Sequence, residues 1–539
     1  MVGGTGVVYG HDGASAFLNP ATAVRVDDNR LSFSVNFYQM SFVSAPRWYR
    51  PSRVDEARFG RDESPDASLA DIEFNALPAS ICFFFKIADI PWFKGTASKD
   101  IRLRAARLGL CFASVQGQTF NFAAESTSDQ GPFGVTRQAQ TLAQSYGRFS
   151  GGPTYAMYIT DNLAVGASLH ASFASHRGLL SGAASTLGGP GRTISSMLSS
   201  AARGDSFQLT ATVGATYRYE QQTFGVVVES PSLHIYGVGS ANYHTHFEGA
   251  GDSTSTTSMR GSFVSRSPTR ISIGTGVEKK WGSAELNVSY YAAMSRAYTA
   301  ELTGTVVRVS GGNATDTETS ASISQPTRGV VNIGVGGELY IFPKVSVLGG
   351  LATDISAISP GALRPDLLNY FPARNNRYIA SLGVGSHGEG GDLLIGSELS
   401  VSHGQRLAVN SFELPPNIAT TGHTTFQLLF VIAGSTSLKA LSRAFRDVRE
   451  VIKEPEKARE KPPEHEPLTD EHPHIDDARR PSADADRDTG GAGGDGGGAG
   501  TNANAAGAAG TSESPVVAPP PPPVPTHPAP QRPKPRPRP

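Results

Sequence analysis

Histidines, cysteines and carboxylates are the first places to look for chemistry, and here they are sparse. His244 and His246 are two apart, so on a strand both rings would face one side and could supply part of a metal shell. Two ligands without a third do not make a site. His465, His472 and His474 stand among acids near the end of the chain, in a composition that reads as solvated rather than folded. There is no Gly-rich phosphate loop, no Cys/His metal spacing and no nucleophile elbow. A hydrolase would need Ser or an acid clustered with His at one rim, and no pair in the sequence argues for one. The chain therefore reads as a non-enzyme with no metal and no cofactor. A net charge of -1 gives no case for a nucleic-acid partner.

Charged residues that do recur in pattern are Arg218, Glu278, Glu285, Glu338 and Glu398. Each sits on the polar side of a run in which apolar residues alternate with Ser, Thr, Gly and Asn. Two readings of these five stay open: a permeation path or headgroup clamp, or an ion-pair network bracing a wall. The two cysteines, Cys82 and Cys111, fall in consecutive runs. Alternation turns both inward, and the hairpin between them centres near residue 96, which sets them opposite one another. A disulfide is within reach of directly opposed strand residues; two separate semi-buried thiols are the alternative.

The elements that position these residues are strands. Leu31, Phe33, Val35 and Phe37 oppose Ser32, Ser34 and Asn36, and Leu163–Phe173 sets Leu, Val and Ala against Gly166, Ser168 and His170. Similar runs are predicted at 29–43, 77–88, 103–116, 148–160, 163–175, 206–219, 223–237, 268–280, 283–296, 327–341, 344–355, 375–387, 391–404 and 424–434. Their connections alternate in length. Asp161-Asn162, Glu220–Gln222, Trp281-Gly282 and Phe342–Lys344 are tight, while about 176–205, 238–267 and 296–325 are long and rich in Gly, Ser and Thr. Short turns on one side and long loops on the other are the layout of an outer-membrane barrel. The expected fold is all-β: an antiparallel transmembrane β-barrel of about fourteen strands. A mean hydropathy of -0.23 fits, because half of each strand faces a polar lumen. No run reaches the eighteen or so apolar residues of a helical span. Small lumen residues leave room for a plug, water or a ligand.

Residues 10–21 read Gly-His-Asp-Gly-Ala-Ser-Ala-Phe-Leu-Asn-Pro-Ala, directly before the first strand. This resembles the N-terminal hatch of the FadL-type transporters of long-chain fatty acids and hydrocarbons. Ser267-Pro268 before Ile271–Val277, and Gly336–Tyr340 before Leu348-Gly349-Gly350, are similar to later hairpins of that family. The resemblance spans about residues 5–434. It implies a plugged barrel for passive uptake of hydrophobic molecules such as long-chain fatty acids, with a lipid or small apolar ligand as partner. It implies that Asp12, Asn19, Pro20 and Ala21 hold and gate the hatch, Pro20 fixing its turn. Trp48, Tyr49, Phe59, Phe133, Tyr243 and Phe247 would lie in outer loops, as a greasy groove or as girdle and loop-core residues. The hatch is shorter than the family's and the chain continues beyond the last strand.

The domains expected are a hatch at 1–28, a barrel at 29–434, an amphipathic helix at 438–453 and a disordered Gly/Ala- and Pro-rich tail at 454–539. As a coil the tail spans on the order of 50 Å, enough to reach peptidoglycan or a periplasmic protein. Met1 is followed by Val-Gly-Gly-Thr-Gly, without a basic or apolar leader, so a start downstream of the true one is expected. The location that follows is the outer membrane of a Gram-negative cell, with the tail in the periplasm. A second function of another class is a structural barrel whose tail tethers the envelope.

Overall fold

Alternating side chains along each run turn apolar groups to one face and small or polar groups to the other, and the sheet closes to put the polar face inside. The computed structural model describes residues 5–10, 13–26, 28–45, 67–73, 78–90, 105–129, 135–187, 193–249, 252–359, 374–388, 390–411 and 417–443. Its strands are β1 (Arg30–Ala45), β2 (Ala67–Glu73), β3 (Pro78–Lys86), β4 (Arg107–Asp129), β5 (Val135–Thr160), β6 (Leu163–Leu187) and β7 (Thr193–Tyr219). Then follow β8 (Gln222–Glu229), β9 (Leu233–Glu248), β10 (Ser253–Ser265), β11 (Arg270–Lys279), β12 (Gly282–Tyr291) and β13 (Met294–Ser310). The last are β14 (Asn313–Thr327), β15 (Val330–Phe342), β16 (Val345–Asp354), β17 (Arg374–Gly388), β18 (Gly391–Ser411) and β19 (Asn417–Ser437).

These nineteen segments form one antiparallel sheet. β2 with β3, β8 with β9, β10 with β11, β12 with β13 and β14 with β15 each make a single interrupted stave, so the wall has fourteen. It closes where β1 pairs with β19, from Arg30↔Ser437 to Ser44↔Thr424. A barrel therefore forms with the strand number expected.

The strands differ from expectation in length. The stretch after His176, expected as a long loop, continues as strand to Leu187 and resumes at Thr193, with Arg177↔Arg203 and Ser185↔Ser195 in register. Apolar alternation fades there, but the backbone ladder persists, because its hydrogen bonds do not depend on which side chains the strand carries. His244 and His246 thus lie on β9 rather than in a loop. Their Nδ1 atoms meet Thr256 Oγ1 at 3.1 Å and Thr254 Oγ1 at 2.9 Å on β10. Among the described residues no group of acids, His and Cys could hold a metal. Tyr243 and Phe247 are on β9 as well, whereas Trp48, Tyr49, Phe59 and Phe133 lie outside the described residues.

Four adjacent staves break at one level, near Pro231, Pro268, Ala292-Ala293 and Arg328-Gly329. Proline carries no N–H, so the ladder cannot run straight through it. Hydrogen bonds stitch the seam instead: Ser232 N to Ser267 O (3.0 Å), Arg266 N to Ala297 O (2.7 Å) and Ala292 N to Thr269 O (2.9 Å). A different discontinuity lies at β4. Its ladder with β3 runs from Lys86↔Arg107 to Ser80↔Ala113 and stops. β2 pairs with β1, and β4 beyond Ala113 pairs with β5. No ladder joins β2 to β4 among the described residues. The wall beside this slot is distorted too: β4 bulges between Ser114 and Gln116, and the β5–β6 register omits Gly152-Pro153.

The exterior is apolar. Leu110, Phe112, Leu169, Val213, Val226, Val228, Ile273, Val335, Leu382 and Ile395 are all exposed there, and Tyr219, Trp281 and Phe342 are exposed at the short-turn end. Among the described residues no helix is long and apolar enough to cross a membrane. The strands carry the apolar surface instead. After β19, residues 438–443 are helical and Ser437 Oγ accepts from Ala440 N (3.1 Å), a side-chain N-cap. The remainder of the expected helix and the tail at 454–539 lie outside the described residues.

Candidate functional site

Residues 5–10 and 13–26 run inside the barrel at its short-turn end, against the inner faces of β3, β6, β7, β8, β11 and β12. The segment has little secondary structure of its own, a helical turn at Ser15–Leu18 and a 3-10 turn at Pro20–Arg25. Buried irregular backbone must find its hydrogen bonds in the wall, and wall residues supply them.

Glu285 on β12 is 5 % exposed and receives three backbone N–H groups: Gly6 (2.8 Å) and Val8 (3.0 Å) at Oε1, Tyr9 (3.1 Å) at Oε2. One carboxylate thus serves a whole turn of the plug. Arg270 at the start of β11 donates from Nη2 to Phe17 O (2.8 Å) and pairs with Glu229 (2.7 Å) on β8. Arg107 donates from Nε to Val26 O (2.6 Å), and Ser168 Oγ donates to Ala16 O (3.0 Å). Phe17 stacks on His170 with ring centroids 4.6 Å apart.

Asn19 is fully buried. Its Nδ2 donates to Val7 O (2.6 Å) and reaches Ala215 O (3.5 Å), while Oδ1 accepts from Ala21 N (3.0 Å) and caps the 3-10 turn. Pro20 occupies the first position of that turn. The Asn-Pro-Ala step fits because Gly166 and Gly214 face one another across β6 and β7. A Cβ on Gly166 would meet Ala21 N at 2.5 Å, and one on Gly214 would meet Asn19 Oδ1 at 2.0 Å. A second opposed pair, Gly225 and Gly274, gives the same clearance to Val7 and Val8. The wall is notched to the shape of the plug.

The other charges expected in the lumen are distributed around it. Glu278 is at the rim and faces Arg25 of the plug (3.6 Å), whose guanidinium lies 5.1 Å from the Tyr9 ring centroid. Arg218 is exposed beside its own turn, Nε donating to Glu220 O (3.3 Å), and makes no contact with the plug in the hydrogen bonds described. Glu398 pairs with Arg377 across β17 and β18 (2.5 Å), a brace within the wall. Asp12 lies outside the described residues. Cys82 and Cys111 are opposite in the β3–β4 ladder, buried and joined as a disulfide, with Gly13 of the plug against Cys82.

Glu338 belongs to a cluster near the short-turn rim. Ser346 Oγ donates to Glu338 Oε1 (2.6 Å); His387 Nε2 is 2.8 Å from Ser346 Oγ and 3.0 Å from Glu338 Oε1. His387 Nδ1 is 3.2 Å from Asp392, which Arg30 also binds at 2.8 Å. Ser, His and Asp in series have the outline of a nucleophile, base and orienting acid. Two facts make it a brace across five staves instead. Ser346 is fully buried, so no acyl group reaches its oxygen, and its hydroxyl is directed to the Glu338 carboxylate.

Toward the long-connection end the lumen is filled differently. Tyr146, Ala174, Ala202, Ala241, Met259, Phe263, Tyr298, Leu302 and Ile323 pack into one apolar cluster, with Tyr146 edge-on to Tyr298. Between cluster and plug lie buried polar side chains, among them Gln208, His170, Thr210 and Gln325.

Sequence reasoning missed Arg270, Arg107 and Gly214. Arg270 follows the Ser267-Pro268 step, and its inward phase, shared with Ser272 and Gly274, was the available signal. Small inward residues are expected to leave room inside, and three of them, Gly166, Gly274 and Gly276, adjoin the plug.

No family model and no curated protein sequence matches this chain. Among solved structures, a Pseudomonas aeruginosa FadL homologue is similar at 16% identity, over 81% of this chain and 96% of that one, with a TM-score of 0.45. The Pseudomonas putida toluene transporter TodX is similar at 12% identity over 81% and 99%, with a TM-score of 0.46. The Ralstonia pickettii toluene transporter TbuX follows at 15% identity over 81% and 96%, with a TM-score of 0.42. The likeness is to FadL-type barrels.

Proposed function

We propose that the chain is a FadL-type outer-membrane channel that admits hydrophobic molecules passively. One observation carries this reading: a closed barrel, apolar outside, holds its own N-terminal segment as a docked plug, beside a stretch where no ladder joins β2 to β4 among the described residues. A polar channel offers apolar solutes no favourable path, whereas a blocked lumen with an apolar interior and a side exit does. The solute would enter at the long-connection end, rearrange the Tyr146–Phe263–Tyr298 cluster, and leave between β2 and β4 or past a shifted plug. Asn19, Pro20 and Ala21 would set the plug's seat and Glu285 its hold. Long-chain fatty acids are one solute class and small aromatic molecules another, toluene being named for TodX and TbuX among the similar structures.

The test is flux into proteoliposomes containing the full chain, with a labelled fatty acid, toluene and a sugar of similar mass. The apolar solutes should cross faster than in empty liposomes and the sugar should not. Removing residues 1–25 should abolish this preference, while removing 438–539 should leave it. Equal flux of all three solutes through the intact chain, or of none, would sink the proposal. Envelope defects caused only by loss of the tail would favour the tethering role and a peptidoglycan or periplasmic partner.

A further inference from the structure

The outer wall above its apolar belt carries an ordered set of side chains that the uptake reading does not use. One ladder row runs Ser145↔Arg177↔Arg203↔Ser240↔Arg260↔Thr303 across β5, β6, β7, β9, β10 and β13. Arg177, Arg203 and Arg260 all lie on the outward side and are exposed. No acid occupies the row. Four residues nearer the short turns, a second row reads Phe149↔Phe173↔Phe207↔Tyr236, every ring exposed. The two rows are roughly 13 Å apart along the strand. Below the rings the wall is apolar down to the short-turn rim.

That order is the order of a lipid monolayer: chains, an interface that aromatic rings favour, then charged headgroups. The wall is also hollowed at the headgroup level. A concavity of about 410 Å³ opens there, floored by Ala143, Ala201 and Gly178 and flanked by Arg177, Arg203 and Asn242. Small residues in the floor let a bulky group approach the sheet, and guanidinium forks match phosphate oxygens. The nearest acids, Asp205 and Glu301, stand one row below. Asp205 is engaged by Arg203 Nε (2.7 Å) and Ser175 Oγ (2.7 Å), an arrangement that steadies Arg203.

We propose that this face binds the phosphate-bearing headgroup of an outer-leaflet glycolipid, its acyl chains lying over Phe173, Phe207 and Tyr236. The inference rests on the outer-membrane reading, with the long-connection end outward. An anionic lipid held beside the barrel would fix its depth in the leaflet and shield the seam near Pro231 and Pro268.

Native mass spectrometry of the full chain in detergent tests it, with lipopolysaccharide, the same preparation stripped of phosphate, and inorganic phosphate as probes. Intact glycolipid should bind. The Arg177→Gln/Arg203→Gln/Arg260→Gln variant should bind it about a hundredfold more weakly, at roughly fivefold per arginine. Arg308→Gln, farther out on β13, should bind as the parent does. The triple Arg→Lys variant keeps the charge and should retain binding within about tenfold, which guards against a folding failure of the Gln variant. Undiminished binding by the Gln variant, equal binding of the stripped lipid, or displacement by equimolar inorganic phosphate would each overturn the proposal. Membrane fractionation of the parent chain separates the two levels. A parent absent from the outer membrane overturns the uptake reading, whereas a parent present there with arginine-independent glycolipid binding overturns only this one.

Discussion

Toward the short turns the lumen is filled by backbone laid against glycine; toward the other end it is filled by side chains meeting side chains. The plug's amides and carbonyls are satisfied one by one, by Glu285, Arg270, Arg107, Ser168 and Asn19. Such contacts are directional and leave little freedom to slide. The cluster around Phe263 depends on burial, which is non-directional and can be met by other packings. On the proposed uptake reading the difference is fitting: the end that would seal is specified atom by atom, and the end that would admit a greasy solute is held by forces the solute can replace.

Phe263→Ala should have the largest effect on stability. Phe263 is almost fully buried, and truncating such a ring costs about 3–5 kcal/mol. Unfolding in detergent, followed by the loss of the heat-modifiable folded band, should shift accordingly, while amide exchange at residues 6–9 should not change. If plug exchange rises equally, the two closures are one unit and the contrast fails. Glu285→Ala should do the opposite. Hydrogen bonds to a charged group are worth about 1.5–3 kcal/mol each, and three are lost together, though not additively. Exchange at residues 6–9 should accelerate and single-channel conductance should rise, with Glu285→Gln intermediate. Gly214→Ala places a methyl on Asn19 Oδ1, and overpacking of this kind costs roughly 1–3 kcal/mol. It should loosen the plug with the barrel intact, read out as sensitivity to a large antibiotic. A plug unaffected by either change would mean that the glycine notches are incidental.

Two smaller tests concern the hinge and the rim. Asp28, beside the entry to β1, has its carboxyl held below the usual carboxylate range, first by the hydrogen bond from Lys86 Nζ (3.1 Å). Its contribution is present at neutral pH and is lost as pH falls through that lowered value. Asp28→Asn should therefore remove a small part of the plug's exchange protection at neutral pH and no longer change it on acidification, variant and parent converging below that value; the effect is small because the pair is largely exposed. Ser346 should stay unlabelled by an organophosphate that modifies activated serines. Labelling that requires His387 would make the rim cluster a hydrolytic site and end its reading as a brace.

Much of this organisation is legible in the sequence, for definite reasons. Lipid on one side and a lumen on the other impose a period of two, so Leu163–Phe173 and Ile271–Val277 declare both strand and face. Tight turns such as Glu220-Gln221 declare where staves reverse. After His176 one face loses its apolar signature, so a stretch rich in Gly, Ser and Thr reads as loop although its backbone stays in the ladder. The Gly166–Gly214 notch was half legible: each glycine is an unremarkable small residue until register sets them opposite each other. Arg177, Arg203 and Arg260 are scattered through polar sequence and become a row only when three ladders align.

The order of residues fixed, on its own, that this chain builds a many-staved wall with a greasy outside, because alternation and turn chemistry are local properties. It also fixed that a small-residue segment precedes the first stave. Only the folded arrangement decided that Glu285 grips this segment from some 280 residues away, that no ladder joins β2 to β4 among the described residues, and that the two ends of the lumen close by different forces. Those outcomes depend on which distant residues share a rung, and register is a property of the closed sheet rather than of any one strand.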